Sequence, residues 1–249
     1  MSQRLRIALT KGRLLDKSVE LFEAMGLDCS PIQSPGRRLV HAIPNYPLDA
    51  VLAKAPDVIT YVEHGVCDLG IVGKDTILEQ GRSFYEVLDL GFGQCRFALA
   101  EKQGSDFYGT YKTRRIATKY PNVARTFFEK KGMDVDIIKI EGSVELAPIL
   151  ELADAIVDIV ETGATLRENG LVPIEDVAQV SARLIVNTAS MKLHKTEITD
   201  FINRCERELE CRVCYRSSRP TGRRSRPASP PCGPVRQRWG RILSELSLL

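Results

Sequence analysis

The alternation of hydrophobic and polar positions along the chain predicts an α/β protein. Residues 5–9 form a short strand pattern, and the apolar residues from Leu14 to Met25 then recur with the spacing of a helix that ends at Gly26. Residues 69–73 are apolar on both faces of a strand, which is typical of a sheet that helices cover on both sides. Strands and helices that alternate in this way predict a mixed or parallel sheet.

Two groups of alternating elements are predicted. In the first group the strands are at 5–9, 38–44 and 69–73, and the helices are at 14–25, 47–54 and 58–65. In the second group the strands are at 95–100, 115–118, 135–140 and 155–160, and the helices are at 122–131, 144–152 and 165–169. A strand at 178–187 and a helix at 195–210 follow. The second group has a size that is usual for one domain.

The composition supports a hydrophobic core, since 43% of the 249 residues are hydrophobic. The N-terminus lacks the long apolar stretch and the cleavage site of a secretory signal. The apolar runs are also too short to span a bilayer. We therefore expect a cytoplasmic protein without a membrane partner.

The charge is divided unevenly, because residues 211–249 contain nine Arg, no Lys and one acid. The overall charge of +3 thus combines a tail of +8 with a body, residues 1–210, of −5. Charge in such a tail does not indicate a specific nucleic-acid partner.

The Arg, Pro and Ser content of the tail predicts disorder. An apolar helical stripe from Trp239 to Leu246 leaves two alternatives, a partner-binding helix and an out-of-frame segment without function.

The seven cysteines fall into two sets. Cys29, Cys67 and Cys95 are widely spaced in apolar surroundings, where reduced thiols behave as small buried hydrophobes. The others are clustered near the end, at Cys205, Cys211, Cys214 and Cys232. A zinc site formed by this second set is the alternative, although its second half lacks the paired spacing of a zinc ribbon.

The most informative segment surrounds the predicted strand at 155–160, which ends in Glu161, Thr162, Gly163, Ala164 and Thr165 before a helix. Free backbone N–H groups at a helix start, together with two hydroxyls, suit a phosphate. Asp158, at the end of the strand, is positioned to hold the hydroxyls of an attached ribose, directly or through Mg²⁺. The segment looks like a binding loop for phosphoribosyl pyrophosphate (PRPP). The alternative is an ordinary strand–turn–helix junction with a Thr cap.

Four further segments carry a family resemblance: TKGRL at 10–14, YVEHGVCDLGIVGKD at 61–75, IATKYPN at 116–122 and GSVELAP at 142–148. In this order and spacing they resemble ATP phosphoribosyltransferase, the family that opens histidine biosynthesis. The resemblance covers residues from about 5 to about 208. The chain is similar to the short form of the family, because the long form would continue into a regulatory domain.

The resemblance implies a fold that the periodicity alone does not give. It implies a two-lobed α/β architecture like that of periplasmic binding proteins of type II, with the active site in the cleft between the lobes. The first lobe is expected to comprise residues 1–92, with 177–210 returning to it. The second lobe, residues 93–176, is expected to carry the PRPP loop, and residues 211–249 form the tail.

The reaction that the resemblance implies is displacement of pyrophosphate from C1 of PRPP by N1 of the adenine of ATP. Negative charge develops on the leaving group, so cations that face it assist the reaction. We expect Lys11 and Arg13 to be these catalytic cations, with Gly12 allowing close approach of the backbone. No covalent nucleophile is needed. Mg²⁺ is expected as the cofactor, held mainly by substrate phosphates rather than by a dedicated protein site.

The resemblance also implies binding residues, to which Arg38 and Lys54 are added as further cations of the first lobe. For PRPP they are Asp158, Glu161, Thr162, Gly163, Ala164 and Thr165. For ATP they are Gly12, Arg38, Lys54, Tyr120, Glu141, Ser143 and Glu145. A role outside any site is the alternative for the cations and for Tyr120, because exposed Arg and Lys are often only solvated, and Tyr120 suits a hydrophobic core equally well.

The resemblance also implies partners and leaves competing functions. A homo-oligomer is expected, as is a hetero-oligomer with a regulatory subunit that resembles histidyl-tRNA synthetase. One alternative is a phosphoribosyltransferase that uses a free base, although that group usually shows two adjacent acids where this chain has Asp158 alone. Another is a non-catalytic two-lobed solute-binding protein.

Overall fold

Two β-sheets organise the chain, and each has helices on both faces. The computed structural model describes residues 4–34, 36–81, 83–109 and 112–217. In chain order, the described elements are β1 (Leu5–Thr10), α1 (Arg13–Ala24), α2 (Ser30–Gln33), β2 (Val40–Ala42), β3 (Leu48–Ala53), α3 (Ala55–Glu63), β4 (Leu69–Gly73), α4 (Lys74–Gln80), β5 (Phe84–Asp89), β6 (Cys95–Lys102), β7 (Arg114–Thr118), α5 (Pro121–Lys130), β8 (Val135–Lys139), α6 (Leu146–Ile149), β9 (Ala155–Val160), α7 (Ala164–Glu168), β10 (Leu171–Val180), β11 (Ala182–Asn187), α8 (Thr188–Leu193) and α9 (Lys195–Ser217).

The first sheet has six strands in the order β2-β3-β1-β4-β11-β5. Its centre is parallel, because β1 pairs in parallel with both β3 and β4. The strands β2 and β11 run antiparallel to their neighbours. Strand β4 is buried along its whole length, as expected for a central strand that helices cover on both faces.

The second sheet has five strands in the order β10-β6-β9-β7-β8. Strand β7 pairs in parallel with β8 and β9, whereas β6 runs antiparallel to β9 and β10. The chain passes from the first sheet to the second between β5 and β6, and it returns between β10 and β11. These two crossovers divide the molecule into a first lobe around the first sheet and a second lobe around the second sheet.

Asp89 ties the two crossovers together. Its carboxylate accepts hydrogen bonds from the Ser181 hydroxyl at 2.8 Å and from the Gly91 N–H at 2.9 Å. It also lies 2.9 Å from Nη2 of Arg183. Because Gly91 belongs to one crossover and Ser181 to the other, the carboxylate holds the two connections side by side.

Each sheet buries two hydrophobic layers. In the first lobe, α1 and α9 pack on one face of the sheet, where Phe22 and Phe201 meet edge to face at 5.8 Å between ring centroids. Helices α3 and α4 cover the other face. In the second lobe, α5 packs on one face through Phe128, while α6 and α7 contribute Ala147 and Leu166 to the other face.

Two predicted elements are wrong. Residues 47–54 do not form a helix but the strand β3, in which Leu48, Ala50 and Ala53 are buried. Pairing of β3 with β1 along all six residues outweighs the helix preference of its Leu and Ala residues. The strand expected at 178–187 is two strands that belong to different sheets, separated at Ser181.

Further differences concern the length of predicted elements and elements that were not predicted. The helix expected at 144–152 is limited to α6, and α4 and β5 were not predicted. Helix α9 continues past residue 210 as far as Ser217. Residues 218–249, which include most of the predicted disordered tail and its apolar stripe, lie outside the described residues.

Cys29, Cys67, Cys95 and Cys205 form no disulfide bonds. Burial raises the pKa of Cys29 and of Cys67 to about 11 and that of Cys205 to about 12, so these thiols stay protonated. The part of the chain that the structure describes holds no group of three side chains that could bind a metal ion. The side chains of Cys214 and Cys232, needed for the alternative zinc site, lie outside that part. No helix within the described ranges is both long enough and apolar enough to cross a membrane.

Candidate functional site

The loops that follow β1 and β9 meet across the cleft between the lobes. Nη1 of Arg13, in the first lobe, donates a hydrogen bond of 2.7 Å to Oε2 of Glu161, in the second lobe. Both side chains are well exposed, at 82% for Arg13 and 53% for Glu161, so the ion pair lies in water at the cleft mouth. The structure therefore brings two of the predicted segments, 11–13 and 161–165, to one place.

Glycine shapes the loop after β1. Gly12 has φ 91° and precedes the first turn of α1, where its carbonyl accepts the N–H of Leu15 at 2.8 Å. A side chain at this φ would be strained, and a Cβ there would project into open space. The Lys11 N–H is held by the Ala53 carbonyl at 2.9 Å. The loop thus has a fixed backbone, while its exposed Lys11 and Arg13 side chains stand in solvent.

The loop after β9 is also a tight turn into a helix. Gly163 adopts a left-handed φ of 72° ahead of α7, and the Ala164 N–H donates to the Thr162 hydroxyl at 3.4 Å. Nη1 of Arg167 donates to the Thr162 carbonyl at 3.2 Å. Thr162 and Thr165 are both exposed. Both predicted hydroxyls are therefore accessible beside the turn.

Asp158 lies on β9 three residues before Glu161 and is half-buried. Burial raises the pKa of its carboxyl group, and the negative charge of Glu145 raises that pKa further, while Lys119 lowers it. Its Oδ1 accepts the N–H of Ile159 at 2.8 Å. The charge of Glu145, predicted for ATP, thus acts on Asp158, predicted for PRPP.

Tyr120 lies where α5 begins and faces acids from both lobes. Burial raises the pKa of its phenol, as do the negative charges of Asp75 on α4 and Asp158 on β9. The ring packs edge to face on Phe97 at 4.8 Å. The Thr118 hydroxyl accepts the Tyr120 N–H at 2.9 Å. The ring of Tyr120 is thus anchored in the hydrophobic core, and the charges of acids from both lobes act on its hydroxyl group.

The other predicted ATP residues are more dispersed. Glu141 is exposed and pairs with Lys139 at 2.7 Å, and this hydrogen bond lowers its pKa. Ser143 is exposed in the loop before α6. The charge of Lys119 acts on Glu141 as well as on Asp158.

Arg38 and Lys54 are not joined to this group. Arg38 lines a separate cavity of about 460 Å³ beside β2, together with Arg37 and His41. Lys54 is exposed immediately before α3. Within the described ranges, no hydrogen bond or ion pair connects either side chain to Arg13 or Glu161.

Four residues of this region were absent from the predicted set, and each lies between the lobes: Asp75, Glu79, Cys95 and Lys119. Lys119 is an exposed cation whose charge reaches Asp75 as well as the two acids above. Burial raises the pKa of Cys95. The negative charges of Asp75 and Glu161 raise it further, whereas the positive charge of Arg13 lowers it. Lys119 lies inside a family-like segment, but only the fold shows which acids surround it.

The fold and the site together define a class of protein. It is a two-lobed α/β protein whose cleft presents cations from one lobe and a strand–loop–helix turn from the other, an arrangement suited to phosphorylated small molecules. Comparison with known proteins gives the family. A family model described as HisG: ATP phosphoribosyltransferase matches residues 54–207.

Relatives named ATP phosphoribosyltransferase match over most of their length. The one from Clostridium kluyveri (strain ATCC 8527) is 60% identical over 207 residues, which is 83% of this chain and 94% of the relative. The one from Clostridium acetobutylicum is 58% identical over 209 residues, covering 84% of this chain and 97% of the relative. The chain belongs to the ATP phosphoribosyltransferase family.

Solved structures agree with this assignment. The ATP phosphoribosyl transferase (HisG:HisZ) complex from Thermotoga maritima contains a chain that is similar with a TM-score of 0.71 and 32% identity, over 83% of this chain and 98% of that one. The periplasmic aliphatic sulphonate binding protein SsuA from Escherichia coli is similar with a TM-score of 0.54 and 13% identity, over 87% of this chain and 76% of that one. The second likeness concerns the fold alone, and it confirms the predicted likeness to periplasmic binding proteins.

Membership of this family establishes that the chain is an enzyme. It is a pentosyltransferase of the first step of histidine biosynthesis. The free-base transferase and the non-catalytic binding protein, the two alternatives raised by the sequence, are less well supported.

Proposed function

We propose that the cleft binds PRPP on the second lobe and ATP between the lobes, and that N1 of adenine displaces pyrophosphate from C1 of the ribose. The contact between Arg13 and Glu161 carries this proposal, because it brings the cationic loop of one lobe to the phosphate-type loop of the other. The transferred group and the cations that stabilise the leaving group then lie on opposite walls of one cleft.

The two lobes contact different parts of the substrates. On the second lobe, the turn at 162–165 holds the 5-phosphate, and Asp158 holds the ribose hydroxyls. On the first lobe, Lys11 and Arg13 face the pyrophosphate, where negative charge increases as the bond to C1 breaks. Both cations are exposed, so they reach an anionic substrate without first breaking buried contacts. Catalysis consists of alignment and charge stabilisation, and no side chain has to form a covalent intermediate.

The adenine side of the cleft is assigned to Tyr120, Glu141, Ser143 and Glu145, with Gly12 next to the triphosphate. The electrostatic influence of Glu145 on Asp158 supports this, because an ATP ribose or base held by Glu145 would then face the ribose of PRPP. Arg38 and Lys54 fit the proposal only as outer contacts to the phosphates of ATP, since they lie apart from the Arg13 group.

Mg²⁺ suits this site as a companion of the substrates. The carboxylates of Asp158 and Glu145 are hard oxygen ligands of the type that Mg²⁺ prefers, and the charge of Glu145 acts on Asp158. Within the described ranges no third acid or His completes a protein cage. The remaining ligands would come from phosphate oxygens, and the ion would offset the charge of the pyrophosphate.

We also propose an assembly and a location. The Thermotoga maritima relative was solved as a HisG:HisZ complex, which supports a hetero-oligomer of this chain with a regulatory subunit of the HisZ type, built on a homo-oligomer of this chain. A cytoplasmic location fits a biosynthetic enzyme. Light scattering of the purified chain, alone and mixed with such a subunit, tests the assembly, and an unchanged mass on mixing would contradict it.

The function is tested by a product assay. The chain is incubated with Mg²⁺, ATP and PRPP, and phosphoribosyl-ATP and pyrophosphate are measured by chromatography. The expected result is formation of both products in equal amounts, with none when ATP is replaced by a free purine or pyrimidine base. Turnover of a free base in preference to ATP would support the alternative transferase.

A further inference from the structure

Glu79, on α4 of the first lobe, caps the first turn of α5 in the second lobe. Its Oε2 accepts the N–H of Asn122 at 2.9 Å and that of Val123 at 3.2 Å. Its backbone carbonyl accepts Nδ2 of Asn122 at 2.8 Å. All three hydrogen bonds therefore join the lobes, and we refer to them as the Glu79 clamp.

Helix α5 lacks a cap of its own. The residue before it, Tyr120, makes no capping hydrogen bond through its side chain, and Pro121 at the first helical position has no N–H. The amides of Asn122 and Val123 are thus among the first free donors of the helix. A carboxylate at this point satisfies these donors and complements the positive end of the helix dipole.

The environment of Glu79 fits a specific contact rather than a chance one. The side chain is half-buried, and burial raises the pKa of its carboxyl group. The hydrogen bonds from Val123 and Asn122 lower that pKa, as do the charges of Lys139 and Arg125. These donors and cations all belong to the second lobe, so groups across the cleft offset part of the desolvation of a first-lobe acid.

The clamp also lies close to both the crossovers and the site. Helix α4 begins beside a crossover, since the Lys74 N–H donates to the Ser181 carbonyl at 2.9 Å. At its other end the clamp holds α5 directly after Tyr120, which borders Asp158. Rotation of one lobe about the crossovers would pull Glu79 away from Asn122.

We propose that Glu79 is a positioning residue of the transferase, which sets the angle between the lobes by capping α5 across the cleft. The proposal rests on the function proposed above, in which Lys11 and Arg13 on one lobe must align with PRPP on the other. Glu79 acts through α5 and not on the reacting atoms. Small displacements of aligned reactants cost large factors in rate, so a loosened clamp should slow turnover.

The direct test compares Glu79→Ala with Glu79→Gln, and uses Glu129→Ala, an exposed Glu on α5, as the matched control. Glu79→Ala should lower kcat about tenfold or more, whereas the Kd of PRPP, which the second lobe binds alone, should change less than about twofold. Glu79→Gln keeps an acceptor oxygen and should recover most of kcat. Glu129→Ala should match the wild type in both values.

A second measurement separates alignment from stability. Small-angle X-ray scattering of the ligand-free chain should show a larger radius of gyration for Glu79→Ala than for Glu79→Gln or the wild type. If Glu79→Ala does not fold, Asn122→Ala, which removes only the amide contact, should show the same opening and a smaller loss of kcat. An unchanged kcat and an unchanged radius for the folded variants would overturn the proposal.

The two proposals fail in different ways. A wild-type chain that forms no phosphoribosyl-ATP contradicts the function, yet the scattering comparison still decides whether Glu79 sets the lobe angle. A wild-type chain that is active while Glu79→Ala is equally active contradicts only the clamp. A loss of kcat that Glu79→Gln does not recover, with an equal loss of PRPP affinity, would likewise overturn the positioning role.

Discussion

Arg13 and Glu161 meet across the cleft although 148 positions separate them in the sequence, with 2.7 Å between Nη1 and Oε2. The hydrogen bond and the charge of Glu161 raise the pKa of Arg13, so the guanidinium stays charged throughout the working range of pH. Because both side chains are exposed, water screens their attraction, and the pair adds little to stability. We therefore expect the pyrophosphate of a bound substrate to replace Glu161 as the partner of Arg13.

Replacing Arg13 with Ala should lower kcat about tenfold or more, and Lys11→Ala should act in the same direction, because fewer cations then face the leaving pyrophosphate. Steady-state assays of pyrophosphate release measure this. Lys17→Ala is the matched control, since Lys17 is a half-exposed cation on α1 that pairs with Glu20. Wild-type rates in the Arg13 and Lys11 variants would place both side chains on inert, solvated surface.

Asp158→Asn should weaken the binding of PRPP about tenfold or more while leaving the affinity for ATP within about threefold, because loss of the charge weakens its hold on ribose hydroxyls or on Mg²⁺. Calorimetric titration with each substrate separates the two affinities. Asp154→Asn is the control on the same segment, since Asp154 instead accepts the N–H of Arg115 at 2.7 Å. Unchanged PRPP affinity in Asp158→Asn would remove Asp158 from the site.

The same substitution should increase stability at neutral pH. Because the pKa of Asp158 is raised in the folded protein above the ordinary value of 3.8, the folded state binds the proton more tightly than the unfolded state does. The associated stability is fully present below pH 3.8 and is lost as the pH rises through the folded pKa. Urea titrations of the ligand-free chain at several pH values should show Asp158→Asn more stable than wild type at about pH 7, with the difference shrinking toward about pH 4. A difference in the free energy of unfolding that stays constant with pH would argue against a raised pKa of Asp158.

The local parts of the fold follow from sequence pattern, whereas pairings across the fold do not. Strand β4 and the turn from β9 into α7 were predicted because a buried strand and a Gly turn each leave a short-range signature. Strand β3 was mistaken for a helix because its strand conformation depends on pairing with β1 and β2. The apolar pattern also continues through Ser181 while the sheet changes, so the return to the first lobe, which the resemblance implies from residue 177, has no signature in the periodicity.

The site residues divide in the same way, into those with a local signature in the sequence and those that only the fold brings together. The loops at 11–13 and 161–165 were predicted, because cations and glycine after a strand are visible in the sequence. Glu79 was not predicted, since an acid near the end of a helix has no local feature that identifies Asn122 as its partner. Lys119 lies in a family-like segment, yet its influence on Asp158 depends on strands brought together only by folding.

The contact between α1 and α9 should be critical for the stability of the first lobe. Phe201 is fully buried, and its ring meets Phe22 at 5.8 Å and Tyr46 at 6.3 Å. Phe201→Ala should lower the free energy of unfolding by about 3–5 kcal/mol, as measured by urea denaturation. Leu193→Ala, at a residue that is 77% exposed, should change it by less than about 0.5 kcal/mol. Similar losses in the two variants would show that the α1–α9 layer is not a packed core.

Gly163→Val should abolish measurable PRPP binding, because it alters the turn that is proposed to hold the 5-phosphate. Gly163 has φ 72°, and a Cβ there would lie 3.3 Å from Nη1 of Arg167, so a β-branched residue would distort the turn. Gly132→Val is the matched control, since Gly132 has φ 66° in a turn between α5 and β8 and a Cβ there would meet nothing within 4 Å. Both variants should lose stability through backbone strain of about 1–3 kcal/mol, but only Gly163→Val should lose PRPP binding in calorimetry. Normal PRPP affinity in a folded Gly163→Val protein would mean that the phosphate binds elsewhere.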